Sequence, residues 1–329
     1  MKICILLGGA SPERNVSLSS GTAIGETLKA LGHRILYLDP ATPLKEMETF
    51  RESLGHISME NMDFEGMAAL RDHYFIEHIP YLEKEAVDLV FNALHGGNGE
   101  NGVIAALLEM AGIPFTGSGY AASALAMDKY RSKLLAAEAG VLSADFEIHR
   151  KPVQRPDRLA FSLVVKPNDA GSTVGLSIFH EPADLTGACR KALAFSDAFI
   201  IESYIPGREF NIPVVAGEVY RSWKWTPAGS MISMPNIWAT TRNTWSRPPS
   251  RGGDGRHAGP GAPDVPHTGT PELRRVDFRM TPEGEIYLLE ANSLPGMTAS
   301  SLVPKSAKAA GVGFSRLLQI IIEDALRCS

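Results

Sequence analysis

Arg275-Val276-Asp277, followed ten residues later by Tyr287-Leu288-Leu289-Glu290-Ala291-Asn292-Ser293-Leu294-Pro295-Gly296-Met297-Thr298, is the stretch on which the reading of this chain turns. Glu290 and Asn292 are two apart in an apolar, strand-like run, and strand side chains alternate between faces, so these two point the same way. With Asp277 they offer two carboxylates and an amide oxygen. Hard oxygen donors of this kind hold Mg²⁺ while water and phosphate oxygens complete its shell. Taken alone, the same residues also fit a strand end with a solvated acid and a turn. The remaining motifs decide between the two.

At 329 residues the chain exceeds what one hydrophobic core organises, and two or three domains are expected. Apolar residues make up 44% and charged residues 21%, ordinary values for a water-soluble globular protein. A net charge of −5 with no basic stripe argues against a nucleic-acid partner. No run reaches the roughly 18 apolar residues of a membrane span. The N-terminus passes from Lys2 straight into Ile3-Cys4-Ile5-Leu6-Leu7 with no signal-peptide pattern, so a cytoplasmic location is expected. Cys4, Cys189 and Cys328 are odd in number and far apart, which fits free thiols better than a disulfide frame or a zinc site.

Ile3 to Leu7 reads as a buried strand, Gly8-Gly9-Ala10-Ser11 as a loop, and Ser17 to Leu31 as a helix. Arg34 to Leu38 is the next strand, so the start of the chain has the pattern of a parallel doubly wound sheet. Glu13 lies in the loop at the carboxyl edge of that sheet, where ligands bind in such folds, although a solvated loop acid would look the same. Residues 41–85 read as polar, helical elaboration, with Met47, Met59, Met62 and Met67 filling gaps. Val87 to Asn92 is a further strand. It enters His95-Gly96-Gly97-Asn98-Gly99-Glu100-Asn101-Gly102, where four glycines in eight residues favour close approach of the backbone to a ligand. A His and a Glu there could hold an anion or orient a substrate, or His95 could merely end the strand.

Gly117-Ser118-Gly119 marks a change of domain, followed by a helix carrying Met127-Asp128-Lys129-Tyr130-Arg131-Ser132-Lys133. Leu163-Val164-Val165-Lys166-Pro167 then turns through Gly171-Ser172-Thr173-Val174-Gly175, and such a loop can present one ammonium and several backbone N–H groups to a polyphosphate. A plain hairpin is the alternative. It is not the G-x-x-x-x-G-K-[ST] phosphate loop, so a different nucleotide fold is implied. Phe199 to Ile205 reads as a strand leaving through a linker, whose backbone groups are suited to reading an adenine edge, with Glu209 shortly beyond.

In this order the motifs resemble the D-alanine:D-alanine ligases of the ATP-grasp superfamily. The resemblance covers roughly residues 1–40, 87–228 and 274–326. It rests on Leu-Gly-Gly-x-Ser-x-Glu13-Arg, Ala-Leu-His95-Gly, Thr-Gly-Ser-Gly, Met-Asp-Lys129-x-Arg-Ser-Lys, Val-Lys166-Pro, Gly-Ser172-x-Val-Gly and Leu-Leu-Glu290-Ala-Asn292-x-x-Pro-Gly296-Met. It implies an α/β fold of three domains: a doubly wound parallel-sheet domain over 1–117, and two ATP-clasping α+β lobes over 118–201 and 202–329. By the same resemblance Lys129 and Lys166 hold ATP phosphates, Glu202, Ser203, Tyr204 and Ile205 the adenine, and Glu209 the ribose. Asp277, Glu290 and Asn292 bind two Mg²⁺ or Mn²⁺ ions. Glu13 and Ser172 orient the first D-alanine with His95 beside them, and Ser301 and Leu302 contact the second. Arg275 and the N–H of Gly296 stabilise the tetrahedral oxyanion. The partners implied are ATP and D-alanine, and a second copy of the chain as a homodimer. A D-alanine:D-lactate ligase is the rival within the class. Asn15 and Asn101 stand where family members usually carry acids.

Residues 230–273 depart from the family, which has a substrate-covering loop and a long helix there. Pro248 to Pro271 contains six Pro and six Gly in 24 residues, which forbids a regular helix. Shifted to the third base of the Ser230 codon, the run to Ala239 permits Tyr-Asp-x-Tyr-Ala-Lys-Tyr-Leu-Gly, with the Asp, Ala and Gly forced. That string resembles the family's covering loop. In the other shifted frame, Val265 to Leu273 permits Tyr-Arg-Thr-Leu-Gly-Leu-Arg-Ser-Tyr, like the end of the absent helix. The expectation is a frame-slipped insert, and with it a chain that binds ATP poorly and ligates little, since no residue as written covers the phosphates.

Overall fold

The computed structural model describes residues 1–54, 70–171, 173–220, 223–225, 231–233, 273–298 and 301–328. The first sheet is parallel, in the order β2-β1-β3, with β1 at Lys2–Leu6, β2 at Arg34–Leu38 and β3 at Leu89–Asn92. Ile3, Ile5, Leu89 and Phe91 face one core while Cys4, Leu6 and Val90 face the other. A strand buried on both faces leaves no polar positions, which is why β1 after Lys2 reads as an unbroken apolar run. Each fully buried aliphatic or aromatic side chain here contributes roughly 1.5–3 kcal/mol.

The helix after β1 spans Arg14–Ala30, three residues earlier than its expected start, because Arg14 N–H bonds Ser11 O at 3.1 Å and Ser17 N–H bonds Glu13 O at 3.0 Å. Glu13 therefore stands at the N-cap. The loop before it is held from outside. Asp39 Oδ1 accepts the Gly9 N–H at 2.9 Å and Asp72 Oδ1 accepts the Ala10 N–H at 2.7 Å. Asp72 lies in the 41–85 segment, which thus braces the loop that delivers Glu13. Of that segment's methionines, Met47 is buried, and Met59, Met62 and Met67 lie outside the described residues.

The core on one face of the first sheet is completed by the end of the chain. Leu317, Leu318, Ile321 and Ile322 of the helix Phe314–Arg327, with Val303 and Ala307 of the helix Leu302–Ala309, pack with Ile3, Ile5 and Ile24. The second sheet, antiparallel, runs β4 (Phe146–His149), β7 (Phe199–Ser203), β5 (Leu163–Pro167), β6 (Ser177–Phe179). Leu163, Val165, Phe199 and Ile201 point to a core under the helix Thr186–Leu193, and the opposite face carries Lys166 and Glu202 toward the helix Lys129–Glu138.

The third sheet is built on β8 (Arg208–Val215), with β9 (Glu218–Val219) and β10 (Trp223–Trp225) paired to it and β11 (Met231–Ser233) beyond β10. On its other side β8 pairs with β12 (Leu273–Met280), which pairs with β13 (Ile286–Asn292). Phe210 and Phe278 stack at 5.6 Å in its core. Apart from Met231, Ile232, Ser233 and Leu273, the 230–273 segment lies outside the described residues. Among the described residues no helix is long and apolar enough to cross a membrane.

Candidate functional site

The β12–β13 ladder brings the opening trio together. Asp277 pairs with Glu290 and Arg275 with Asn292, and residues directly opposite in an antiparallel ladder share a face. Arg275 grips Asp277 with two prongs, Nε to Oδ1 at 2.8 Å and Nη2 to Oδ2 at 2.7 Å, while Asn292 Nδ2 donates to Oδ2 at 3.1 Å. Burial pushes the Asp277 carboxyl up, and Glu290 adds to the rise against the opposing pull of Arg275. For Glu290 the balance is reversed: burial raises it, but Lys129, Lys166 and Arg275 together hold it below its ordinary value. Lys129 Nζ lies 3.4 Å from Glu290 Oε2 and donates to Ala170 O at 2.7 Å.

Lys129 opens its helix because Asp128 caps it, accepting the Arg131 N–H at 2.9 Å. One turn on, at i+4, Lys133 points to the same side. Its Nζ lies 2.9 Å from Glu202 Oε2, and Lys166 Nζ lies 2.6 Å from Glu202 Oε1, so one buried carboxylate sits between two buried ammonium groups. Burial alone would raise Glu202, but the two lysines bring it down to about 2. Lys133 was not singled out from sequence, although its spacing from Lys129 was the available signal.

Beyond Glu202 the N–H groups of Ser203 and Tyr204 are bonded to Asp145 O and Ser162 O, each at 2.9 Å. The Ile205 carbonyl accepts from Arg279 Nη1 at 3.1 Å, and the Arg279 guanidinium lies 5.2 Å from the Tyr204 ring centre. Arg279 Nη2 also lies 3.4 Å from Glu209 Oε2, across from it in the β8–β12 ladder. Arg279 thus ties together the linker and Glu209, a role its sequence position does not announce.

Glu13 and the glycine loop after β3 form the other half of the site. Gly96 has φ +66°, and a Cβ there would stand 2.9 Å from Glu13 Oε2; one at Gly171 would stand 3.1 Å from the same oxygen. The left-handed backbone at Gly96 favours glycine, and the lack of a Cβ at both positions leaves room for this carboxylate. On the far side of Gly96, Glu100 Oε2 accepts the Gly96 N–H at 3.0 Å. Burial, with Glu13 adding to it, lifts the Glu100 carboxyl to about 7. Glu100 is the acid of the glycine-rich motif, where anion holding or substrate orientation was expected, and the structure sets its carboxyl on the Gly96 N–H. Ser172 lies outside the described residues.

The turn after β13 closes the arrangement. Its Leu294 carbonyl meets His95 Nδ1 at 3.0 Å, and Ser293 Oγ donates to Glu100 O at 3.2 Å. A Cβ on Gly296 would come 2.8 Å from Ser301 Oγ, which also takes the Thr298 N–H at 3.1 Å. Leu302 begins the next helix. Two lysines (Lys129, Lys166), an oxygen-donor face (Asp277, Glu290, Asn292) and the Glu13–Glu100 carboxyl pair are therefore neighbours, linked through Glu290 and Arg275.

Such a layout, with one buried lysine on an antiparallel sheet and another on the helix over it, the latter meeting a carboxylate of a second antiparallel sheet, beside a parallel sheet, is that of an ATP-grasp enzyme. The N-terminal model of D-ala D-ala ligases matches residues 2–118 and the C-terminal model matches 137–234 and 267–323. The chain is 35% identical to the D-alanine–D-alanine ligase of Gloeobacter violaceus, with 99% of this chain and 100% of that protein covered. It is 35% identical to that of Pediococcus pentosaceus, with 98% and 97% covered. The solved D-alanine–D-alanine ligase of Bacillus anthracis complexed with ATP aligns over 99% of this chain and 98% of that one, at TM-score 0.71 and 25% identity. The chain belongs to the D-alanine–D-alanine ligase family, as its motifs suggested. The C-terminal family model passes over 235–266, the stretch where the sequence itself departs.

Proposed function

We propose that this chain joins two D-alanines at the expense of ATP, for peptidoglycan precursor synthesis. The observation that carries the reading is the neighbourhood of Glu13, Lys129, Lys166, Glu290 and Arg275: Lys129 meets Glu290 and the Ala170 carbonyl, Gly171 lies against Glu13, and Lys166 and Arg275 both act on the Glu290 carboxylate. A carboxylate oxygen of the first D-alanine attacks the γ-phosphorus and ADP leaves. The amine of the second then attacks the carbonyl carbon of the acyl phosphate, losing a proton as phosphate departs. Glu13 holds the first ammonium, Lys129 and Lys166 the phosphates, Ser203 to Ile205 the adenine and Glu209 the ribose. Glu202, its carboxylate taken by Lys133 and Lys166, acts by orienting them. Arg275 and the Gly296 N–H face the developing oxyanion, where one donor is worth about 10² to 10³ in rate. Ser172, Ser301 and Leu302 complete the amino-acid sites.

Asp277, Glu290 and Asn292 fit two divalent ions, Mg²⁺ or Mn²⁺: they are hard donors on one face, and burial raises the Asp277 carboxyl even with Arg275 paired to it, so added positive charge there is favourable. When bound, such ions neutralise the phosphates. We further read the chain as three domains dividing near 117 and 201, a cytoplasmic homodimer, and 230–273 as a frame-slipped insert, which the gap in the family match supports. Without the covering loop, water competes for the acyl phosphate and dipeptide yield is low. Two measurements test this. D-Alanine-dependent ADP release with mass detection of the dipeptide, run beside D-lactate as acceptor, is expected to favour D-alanine; ADP release indifferent to D-alanine overturns ligation. Sequencing of the coding DNA across 230–273 is expected to reveal a broken frame, and an unbroken one removes the slippage reading.

A further inference from the structure

Both ring nitrogens of His95 are engaged inside the protein, and the direction of every bond around them is determined. Nδ1 lies 3.0 Å from the Leu294 carbonyl, which can only accept, so Nδ1 carries the proton. Nε2 is then the acceptor, and the Ser20 hydroxyl 3.2 Å away donates to it. Ser20 Oγ in turn accepts the Met297 N–H at 3.4 Å. Met297 N–H, Ser20 O–H, His95 and Leu294 C=O form one chain in which no donor meets a donor. Ser20, His95, Leu294 and Met297 are all buried, so water does not stand in for a lost partner. Burial also holds the imidazole down at about 4, which keeps it neutral and the chain in this sense around neutral pH.

The two ends of this chain, Leu294 and Met297, bracket Pro295 and Gly296. Ser20 comes from the helix Arg14–Ala30 and His95 from the loop after β3, so the brace reaches from the parallel-sheet domain to the turn leaving β13. The Ser293 Oγ bond to Glu100 O, 3.2 Å, ties the same turn to the same loop a second time. We propose that Ser20 and His95 are positioning residues for the ligation, acting as one brace that aims the Gly296 N–H at the reacting carbonyl while neither touches the substrates. This rests on the ligation reading and goes beyond it. The recognisable motif around His95 assigns it to the substrate side, whereas the geometry gives it and Ser20 a shared task on the turn.

The test uses the full chain and two variants that cut the same joint: Ser20→Ala, and His95→Asn, whose amide nitrogen can still reach Leu294 but which lacks the far nitrogen. Hydrogen–deuterium exchange over 294–298 needs no turnover. Met297 amide exchange is expected to quicken about tenfold or more in Ser20→Ala, which removes the hydroxyl that accepts its N–H, and in the same direction by less in His95→Asn, which keeps that acceptor but leaves the Ser20 hydroxyl without its hold on Nε2; unchanged exchange in either overturns the brace. In D-alanine-dependent ADP release, kcat is expected to fall about tenfold or more with KM for ATP held within about twofold. The double variant is expected to be no slower than the worse single one, since parts of one unit are not additive. A loss carried by KM for ATP, or effects that multiply, overturns it. A parent chain showing no D-alanine-dependent turnover sinks the ligation reading instead, and the exchange result then decides the brace alone.

Discussion

Lys166 and Glu202 face each other across the β5–β7 pair at 2.6 Å, both buried, and Lys133 approaches the other oxygen of the same carboxylate. Removing the carboxylate strands two ammonium groups where water cannot reach them. Glu202→Ala is therefore expected to cost about 3–5 kcal/mol of stability in a urea melt. Lys133→Met is expected to cost under about 1 kcal/mol, because Lys166 still pairs with Glu202 and one desolvated charge is gone. Equal losses in the two variants would contradict this account.

His95 gives the fold an acid-side limit. Its folded pKa, about 4, lies below the unfolded value of 6.5, so the unfolded chain binds the proton first as pH falls. The contribution is fully present above pH 6.5 and is lost as pH falls through that window toward 4, by up to about 3 kcal/mol. A chemical-melt series from pH 8 to pH 4 on the parent and on His95→Asn checks it: the difference between them is expected to narrow on the acid side.

Glu100 acts in the opposite sense. Its folded carboxyl, at about 7, lies above the ordinary 4.5, so the native state binds the proton first and stability declines as pH rises through that interval. Glu100→Gln keeps an oxygen for the Gly96 N–H and carries no charge. It is expected to match the parent near pH 4 and to exceed it above pH 7, by up to about 3 kcal/mol. A variant less stable than the parent at pH 8 would mean that the carboxylate is held by something stronger than Gly96.

Ligand-induced stabilisation reports on the oxygen-donor face. Binding to the native state raises Tm by mass action, so ATP with Mg²⁺ is expected to raise the parent's Tm more than ATP alone. Glu290→Gln, which keeps the shape and removes the charge facing Lys129, is expected to abolish the Mg²⁺-dependent increment while leaving the ligand-free Tm within a few degrees. An increment preserved in Glu290→Gln would move the metal site elsewhere.

Much of the fold was readable because its cause is local. The unbroken apolar run of β1, the glycines at Gly96 and Gly97, and the two-residue spacing of Glu290 and Asn292 follow from alternation and from backbone sterics. The helix start at Arg14 was misjudged by three residues because it depends on Ser11 turning back to cap it. Lys133 and Arg279 escaped notice for another reason: a lysine at i+4 or an arginine on a strand acquires a role only from what packs against it. The 41–85 segment looked like elaboration for the same reason, since nothing near Asp72 in sequence points to the Ala10 N–H.

The sequence by itself determined which elements form, the order of the motifs and the oxygen-donor pair on β13, because strand alternation and turn chemistry act over a few residues. It also raised the expectation that 230–273 departs from the family, and the family model passes over 235–266 of that stretch. Only the tertiary structure decided that His95 meets Leu294 across 199 positions, that one carboxylate serves two lysines, and that the last helix closes the first core. Those pairings depend on how sheets and helices stack, where burial strengthens each polar contact and penalises each one left unmade, and no local periodicity encodes that.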